Sequence, residues 1–438
     1  MADGPHGSSR SSSNDAAVAK RRALANEQRL MALGVAMDDQ AGVARRPKGR
    51  GRRGRNWVIA FGAMVILVGG VVGGGYVYAN WRFGQIHKIN VVGEVKAIPG
   101  QPFNILSIGS DSRVGLTGAV AAQTGASTGA VSGQRSDVVK IIHVDPAADT
   151  ISMLSIPRDT MTTLLADQSV YGKFNRINVN FGNGPSLLAQ TITANFGIPI
   201  ANTIVVSFAG LMNAADAIGG VRLNFPYPAK DPYSGLMITH AGCQDVTGFQ
   251  ALAVARSRHY YWFQNGVWNY DVTSDFGRIW RQNVFLRAMI SKAKGLYNPL
   301  TINSFLSKIP QGITLDSNFS LNELIGLAIK FHSLNTSSIR TYTLPTVTAQ
   351  APGVGSVLFI NQPLAQQMLV NIFGSQLLTP SNPPPNSSLQ TPLPPVITPT
   401  TTTTRALSST STSPNSPAPT TTTTVPTEGN QYFDPLPC

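Results

Sequence analysis

The sequence predicts an α/β protein: a central mixed sheet flanked by helices, preceded by one transmembrane helix and followed by a disordered Thr/Pro-rich tail. Short β-branched apolar runs alternate with longer helical patterns between residues 103 and 376, which predicts the sheet and its helices. An uncharged apolar run over 57–79 precedes this region, and a stretch of Pro, Thr and Ser follows it. We therefore expect one folded domain between two segments of different character.

Five apolar, β-branched runs predict the strands of the domain. They are Phe103–Ile108, Val138–Val144, Thr150–Ile156, Thr203–Ser207 and Val221–Phe225. Residues 146–149 read Pro-Ala-Ala-Asp, which predicts a short turn. The second and third strands are therefore expected to form an antiparallel hairpin.

Five longer segments predict helices that cover the sheet. They are Ser186–Phe196, Phe208–Ile218, Gly248–Ser257, Asp275–Lys294 and Leu321–Phe331. The pair Gly219-Gly220 is a stop signal for the second of these helices. Residues 114–134 are small and uncharged, and they predict a flexible loop.

The N-terminal residues predict a membrane anchor. The chain of 438 residues carries 34 Lys and Arg against 21 Asp and Glu, and residues 1–56 alone account for +7 of the net charge of +13. The basic run 45–55 precedes 57–79, which has no Asp, Glu, Lys, Arg or His and exceeds the roughly 20 helical residues that cross a bilayer. The alternative is a cleaved signal peptide, whose apolar stretch is shorter and nearer the terminus.

Basic residues on one flank of an apolar span predict that this flank stays in the cytoplasm. We therefore expect a disordered basic cytoplasmic segment at 1–56, a transmembrane helix at 57–79, a juxtamembrane linker or strand at 80–102 and an extracytoplasmic domain at 103–376. The basic run is better placed for orientation and contact with anionic lipids than for nucleic-acid binding. No nucleic-acid partner is expected.

The C-terminal residues predict a tail with a docking tip. Residues 377–430 are rich in Pro, Thr and Ser and cannot bury an apolar core. Residues 431–438 are more apolar and end in Cys438, and the chain has one other cysteine, Cys243. Outside the membrane these two can form a disulfide; the alternative is a free or intermolecular thiol.

Several short segments carry Arg, in all but one case together with Asp, at predicted strand ends and helix starts. They are Gly109–Arg113, Arg135–Asp137, Pro157–Thr160, Ala255–Arg258 and Asp275–Gln282. Arginines that meet in one cleft require an anionic partner, and guanidinium groups match phosphate oxygens, so pyrophosphate suits several of them. Carboxylates beside such a site suit magnesium. The alternative is that these residues only form surface ion pairs.

In their order and spacing these motifs (GSDSR, RSD, LSIPRDT, FNRINVNF, ALAVARSRHY and DFGRIWRQ) resemble the LytR–CpsA–Psr family of cell-envelope proteins, from about Phe103 to Gly374. The resemblance implies transfer of a glycopolymer from a polyprenyl-pyrophosphate donor to a peptidoglycan sugar hydroxyl, forming a phosphodiester. The alternatives are a polyprenyl-pyrophosphate hydrolase and a non-catalytic binder of lipid-linked wall polymers.

The resemblance assigns roles by motif position. Asp111 and Asp137 match the carboxylates that bind magnesium or manganese, and Asp275 matches an acid that orients the arginines or helps deprotonate the acceptor. The positions that match pyrophosphate-binding residues are Arg158, Arg256, Arg258, Arg278, Gln282 and, as an additional phosphate contact, Arg176. Arg158, Arg278 and Asp275 are therefore the expected catalytic residues.

The resemblance implies that some apolar residues of the helices 186–196 and 208–218 line the path of the polyprenyl chain, with ordinary core packing as the alternative. Two insertions depart from the family pattern, at 114–134 and at the aromatic-rich 260–274, which could stack on sugars, form a packed lid or face the membrane. Teichoic acid, capsule and arabinogalactan are all donors that the resemblance allows. The composition is typical of high-GC actinobacteria, which favours arabinogalactan or a related polysaccharide.

Overall fold

The computed structural model describes residues 17–29, 31, 64, 70, 73–114, 116–124, 136–295, 299–308, 310, 312–332, 334–335, 338–385 and 431–438. Two compact units divide the chain, Met1–Val77 and Tyr78–Cys438. In the first unit, residues 17–29 form an exposed helix. Across the described ranges, the structure contains no helix with the length and apolar character needed to span a bilayer. Most of the predicted span 57–79 lies outside these ranges, as do 386–430.

The second unit carries the strands. In chain order, and within the described residues, they are β1 (His87–Ile89), β2 (Phe103–Ser110), β3 (Ser136–Asp145), β4 (Thr150–Ile156), β5 (Met161–Thr163), β6 (Phe174–Arg176), β7 (Asn202–Val206), β8 (Val221–Phe225), β9 (Ala229–Asp231), β10 (Leu236–Ile238), β11 (Gly242–Val246), β12 (Tyr261–Gln264), β13 (Val267–Tyr270), β14 (Ile313–Asp316), β15 (Arg340–Thr343), β16 (Thr346–Ala351), β17 (Gly355–Ile360) and β18 (Leu436–Pro437).

Helices lie between these strands. Those described after the helical residues 73–83 are α1 (Gly118–Thr124), α2 (Gln168–Tyr171), α3 (Asn178–Phe181), α4 (Pro185–Phe196), α5 (Phe208–Ala217), α6 (Gly248–Arg256), α7 (Asp275–Lys294), α8 (Pro299–Lys308), α9 (Leu321–Lys330) and α10 (Gln362–Phe373). A short 3-10 turn, Gly374–Gln376, follows α10.

The predicted central mixed sheet is confirmed. Its seven strands lie in the order β1-β14-β7-β2-β3-β4-β15. Strand β2 pairs antiparallel with β3 and parallel with β7. The expected hairpin of β3 and β4 is confirmed by antiparallel pairing from Val139–Ile156 to Asp145–Thr150.

The sheet is buried on both faces, and alternate side chains of its strands pack on opposite faces. Leu154 and Ile156 of β4 pack in a cluster with residues of α4 and α10. Their neighbours Ile151 and Met153 point to the other face and pack with Phe319 and others. A further cluster joins α5, α6 and α7 to β8 and β10.

Both insertions contain regular structure. The predicted loop 114–134 is wrong for part of its length, because Gly118–Thr124 forms helix α1. The run GAVAAQT has few large apolar residues, so its helical period carries little signal. The aromatic insertion forms a hairpin of β12 and β13, which continues a four-stranded sheet with β9 and β10.

The C-terminal residues return to the domain. Cys243 of β11 and Cys438 are joined by a disulfide, and β18 pairs with β8. The chain also stays hydrogen-bonded to the domain beyond the expected boundary at 376, since Thr163 Oγ1 donates to the carbonyl oxygen of Pro383 at 2.8 Å. The predicted docking tip and the Cys243–Cys438 disulfide are therefore both present in the structure.

Candidate active site

The predicted Asp and Arg residues meet where several elements end. Asp111 follows β2, Asp137 lies at the start of β3, and Arg158 lies just after β4. Ligand sites of open sheets lie at such strand ends. Arg256 is the last residue of α6, and Asp275 is the first of α7.

A chain of ion pairs connects these side chains. Arg158 Nη1 lies 2.5 Å from Asp137 Oδ1. Asp275 Oδ1 lies 2.5 Å from Arg258 Nη2 and 2.9 Å from Arg278 Nη2. Arg278 Nη2 also donates to the carbonyl oxygen of Asp137 at 3.0 Å. One anionic ligand placed here can therefore reach several guanidinium groups.

Burial and neighbouring charges shift the ionisation of these groups. Burial alone would raise the pKa of Asp137, but Arg278 and Arg158 lower it below the ordinary value. Burial lowers the pKa of Arg278 to about 10. Burial and the nearby Arg113 lower the pKa of Arg256. Burial of these guanidinium groups thus costs desolvation free energy, which an anionic ligand would offset.

Several buried guanidinium nitrogens of the site have no hydrogen-bond partner among the described residues. They are Nε of Arg158, Nη1 of Arg256, Nε of Arg258 and Nε of Arg278. Buried donors are nearly always paired in native proteins, and the exceptions cluster at functional sites. These donors therefore point to an acceptor-rich ligand.

An apolar cavity of about 150 Å³ opens behind the charged groups, between the sheet and helices α5 to α7. Arg256, Arg278, Gln282 and Asp137 line one part of it. The remaining lining is mostly apolar: Phe208, Leu211, Leu252, Phe285, Leu286 and Met289. The combination suits an amphipathic ligand with an anionic head and an apolar chain.

The two helices that were predicted to line a lipid path lie on opposite faces of the sheet. Phe208 and Leu211 of α5 line the cavity. Leu188 and Ile192 of α4 are fully buried against other core residues, which matches the core-packing alternative for that helix. Successive side chains of β2 point to opposite faces of the sheet, so Leu106 packs on the α4 side whereas Ser107 lines the cavity.

Residues outside the charged cluster hold the segment between α6 and β12, which carries Arg258. The buried Asp231 Oδ2 accepts hydrogen bonds from the backbone N–H of Arg258 at 2.9 Å and of His259 at 2.8 Å. Gln282 Nε2 donates to the carbonyl oxygen of Ala255 at 2.8 Å. Asp231, which has no Arg beside it in the sequence, gave no signal beforehand.

Arg176 lies at the edge of the site. Its Nη2 donates to the carbonyl oxygens of Val354 at 2.9 Å and Ser356 at 3.0 Å, and its Nε lies 3.5 Å from Asp159. Asp159 is also 3.5 Å from Arg158 Nε. These contacts make Arg176 a support for Arg158, and they leave fewer of its donors for phosphate.

Two carboxylates are the expected metal ligands. The β2–β3 register pairs Ser110 with Ser136, so Asp111 and Asp137 lie at the same end of adjacent strands. The described residues hold no cluster of three or more His, Cys, Asp or Glu side chains that could bind a metal by themselves. Mg²⁺ commonly takes one or two carboxylates together with substrate phosphate and water, so this pair fits it.

Two buried cations beside the site were not among the predicted residues. Arg281 is fully buried and contacts Asp271 Oδ2 at 2.9 Å and Asp434 Oδ1 at 2.6 Å. Lys140 Nζ donates to Ser155 Oγ at 2.7 Å and Asn283 Oδ1 at 2.6 Å. The DFGRIWRQ motif contains Arg281, but only the fold shows that it points away from Asp137.

Gly277 of the same motif is required by close packing. A Cβ atom at this position would lie 2.3 Å from Thr273 Oγ1, 2.5 Å from Asp271 Oδ2 and 2.8 Å from Arg281 Nη2. The glycine therefore lets the first turn of α7 approach the Asp271–Arg281 pair.

Comparison with curated proteins found relatives whose names refer to cell wall biosynthesis or to peptidoglycan. One is a probable cell wall biosynthesis protein, LcpB, of Corynebacterium glutamicum, 28% identical over 286 residues and covering 64% of each chain. Another is the polyisoprenyl-teichoic acid–peptidoglycan teichoic acid transferase TagV of Bacillus subtilis, 26% identical over 263 residues, covering 59% of this chain and 60% of that protein. The chain thus matches less than two thirds of the length of either relative.

Solved structures share the fold. A LytR-Csp2A-Psr enzyme from Actinomyces oris superposes with a TM-score of 0.52 at 20% identity, covering 68% of this chain and 97% of that one. TagV of B. subtilis gives a TM-score of 0.50 at 22% identity, covering 65% and 100%. The LytR_cpsA_psr family model matches residues 84–372. The chain therefore belongs to the LytR–CpsA–Psr family.

Proposed function

We propose that this protein transfers a glycopolymer from a polyprenyl-pyrophosphate donor to a sugar hydroxyl of peptidoglycan, forming a phosphodiester. The observation that carries the proposal is the set of buried guanidinium nitrogens without a hydrogen-bond partner on Arg158, Arg256, Arg258 and Arg278, two of which, Arg256 and Arg278, line an apolar cavity. Pyrophosphate supplies the acceptor oxygens, and the polyprenyl chain matches the apolar lining. The relative TagV, which is named a polyisoprenyl-teichoic acid–peptidoglycan teichoic acid transferase, supports the same class of donor and acceptor.

The chemistry is a phosphoryl transfer in which the protein mainly positions groups and neutralises charge. The acceptor hydroxyl oxygen forms a bond to the phosphorus that carries the polymer. The bond from this phosphorus to the bridging oxygen breaks, and polyprenyl monophosphate leaves with the electron pair. The proton of the hydroxyl passes to Asp275 or to water.

The arginines stabilise the charge that develops on the leaving phosphate. Arg278 lines the cavity, so it lies where the head and the apolar chain of the donor would meet. Asp275 holds Arg258 and Arg278 through the same oxygen atom, which favours an orienting role for this carboxylate. Asp111 and Asp137 would hold Mg²⁺ or Mn²⁺, which supplies further charge neutralisation on the phosphate oxygens.

We also propose that the domain works outside the cytoplasmic membrane, anchored by residues 57–79. The basic run before this segment and its apolar character support this orientation. Teichoic acid, capsule and arabinogalactan remain candidate donors, and the relative in C. glutamicum agrees with the actinobacterial composition that favours arabinogalactan.

A cavity-blocking variant tests the donor assignment. Leu211 lines the cavity, and Leu211→Trp should fill part of it without touching the arginines. We expect affinity for a polyprenyl pyrophosphate to fall by about tenfold or more, while affinity for inorganic pyrophosphate is unchanged. A matched control is Ile329→Trp on exposed α9. Equal loss for both ligands, or no loss for either, would contradict the assignment.

The competing activities give different products when the protein is incubated with labelled lipid-linked polymer and peptidoglycan fragments. Hydrolysis releases polymer phosphate without labelling peptidoglycan, and a non-catalytic binder retains unchanged donor. Arg158→Ala should abolish transfer while the circular dichroism spectrum of the fold persists.

A further inference from the structure

The segment Gln431–Cys438, here called the C-terminal clamp, is packed into the domain by four kinds of contact. Phe433 stacks on Trp262 with ring centroids 3.8 Å apart and planes 6° from parallel. Tyr260 Oη donates to the carbonyl oxygen of Phe433 at 3.3 Å. Strand β18 pairs with β8, and Cys438 is disulfide-bonded to Cys243.

The clamp also completes a buried charge cluster. Asp434 and Arg281 are both 0% exposed, and Asp434 Oδ1 lies 2.6 Å from Arg281 Nη1. The same Nη1 lies 2.9 Å from Asp271 Oδ2. Loss of Asp434 leaves Arg281 paired with Asp271 but removes the 2.6 Å contact at Nη1, and losing a buried, charge-assisted hydrogen bond weakens the hold on the Arg281 side chain.

Arg281 connects the clamp to both arginine-bearing segments of the candidate site. It lies one helical turn after Arg278 on α7. Its Nη2 donates at 3.2 Å to the carbonyl oxygen of Ser257, which lies between Arg256 and Arg258. Movement of the Arg281 side chain would therefore displace residues on both sides of the pyrophosphate site.

We propose that the C-terminal clamp is a positioning element of the transferase site, in which Asp434 fixes Arg281 and thereby the segments that carry Arg256, Arg258 and Arg278. This inference rests on the proposed function for its catalytic consequence. Its structural consequence, a change in residues 255–258 and 271–282, can be measured without any activity.

Two covalent links hold the clamp: the disulfide to Cys243 and the chain through residues 386–430. Cutting either one alone leaves the clamp attached. A protease site introduced within 386–430 of the full chain allows the polypeptide link to be cleaved, and a reducing agent opens the disulfide. The four states are intact, cut, reduced, and cut with reduction, and gel filtration removes the released peptide only from the last.

We expect the first three states to agree in transfer kinetics and in affinity for inorganic pyrophosphate. In the fourth, hydrogen exchange should rise across 255–258 and 271–282, pyrophosphate affinity should fall about tenfold, and kcat should fall about 10²-fold, since a misplacement of about 1 Å can cost that much. Unchanged exchange in those segments, with mass spectrometry showing loss of the peptide, would overturn the inference.

Adding back the synthetic peptide of Gln431–Cys438 separates positioning from general loss of fold. The native peptide should restore low exchange and kcat, whereas the peptide with Asp434→Asn should stack through Phe433 but restore neither. In the full chain, Asp434→Asn is compared with Asp245→Asn, the same change at an exposed site on β11. Restoration by both peptides would show that Asp434 has no positioning role.

Failure of the proposed function gives a different result. If the intact protein neither transfers polymer nor binds pyrophosphate, the function proposed above is wrong. The exchange comparison between the intact and clamp-free states still decides whether the clamp positions the two segments.

Discussion

Arg278 and Arg281 lie three residues apart on one helix, are both almost completely buried, and are expected to respond in opposite ways to substitution by methionine. Arg278 contacts Asp275 and the backbone of Asp137 in the candidate site. Arg281 is enclosed by Asp271 and Asp434 behind that site. We expect Arg278→Met to lose function without losing stability, and Arg281→Met to lose stability.

The magnitude for Arg278 follows from its ionisation. Burial lowers its pKa from 12.5 to about 10, so the folded protein disfavours the charged form. A depressed pKa means that stability is lost as the pH falls from the unfolded value through about 10, and this loss is complete at pH 7. At 1.36 kcal/mol per pKa unit the loss is about 3 kcal/mol.

Replacing Arg278 by methionine removes this cost, together with the favourable contacts to Asp137 and Asp275. We therefore expect the free energy of unfolding at pH 7 to stay within about 1 kcal/mol of the native value, or to rise by up to about 3 kcal/mol. Transfer should fall by about 10²-fold or more, as when one charge-stabilising donor is removed from an active site.

Arg281→Met leaves Asp271 and Asp434 buried with no cation between them, so unfolding should become easier by about 3–5 kcal/mol. Urea titrations followed by circular dichroism measure both variants, and labelled-donor assays measure transfer. Destabilisation of Arg278→Met by more than about 2 kcal/mol would refute the argument. An Arg281→Met variant as stable as the native protein would refute the prediction that its buried carboxylates need this cation.

Three further changes test two buried charges of the domain and the cavity of the site. Burial raises the pKa of Glu94 from 4.5 to about 7, so the stability from its protonated form is present below pH 4.5 and is lost as the pH rises through 7. Because Glu94 is only half-buried and solvent screens its charge, Glu94→Gln should add about 1–2 kcal/mol at pH 8 and nothing at pH 4 in urea titrations, and equal effects at both pH values would contradict this. Burial and Arg278 lower the pKa of Lys140 from 10.5 to about 7, so stability is lost as the pH falls through that range. Lys140→Met should flatten the fall in Tm between pH 9 and pH 6, and an unchanged slope would count against a buried charged lysine. Leu211→Trp should separate binding of the lipid donor from binding of pyrophosphate, as set out above.

Much of the fold could be predicted because each element carries its own signal. Strand Thr150–Ile156 and helix Asp275–Lys294 match their predicted bounds, since the first is a short β-branched run and the second a long helical pattern that begins with an acidic residue. Helix Gly118–Thr124 was missed because alanine-rich residues between glycines give no clear apolar face.

The arrangement of the site was harder to predict. Motif order indicated which arginines meet. The spacing of Arg278 and Arg281 puts both on one face of the helix, so the sequence does not distinguish their roles. Only the packing of β12, α6 and the C-terminal clamp decides that Arg281 faces Asp434, a residue 153 positions away. Asp231 gave no signal for the same reason: its partners, the Ser257 hydroxyl and the backbone N–H groups of Arg258 and His259, lie 26–28 residues later.

The proposed transfer is tested most directly by following each phosphorus of the donor. The purified protein is incubated with magnesium, peptidoglycan fragments and a lipid-linked polymer labelled with ³²P at either the polymer-side or the lipid-side phosphate. We predict that the polymer-side label enters peptidoglycan, that the lipid-side label leaves as polyprenyl monophosphate, and that Arg158→Ala loses both outcomes. Polymer-side label recovered only as free polymer phosphate, or donor recovered unchanged by the native protein, would contradict the proposed function.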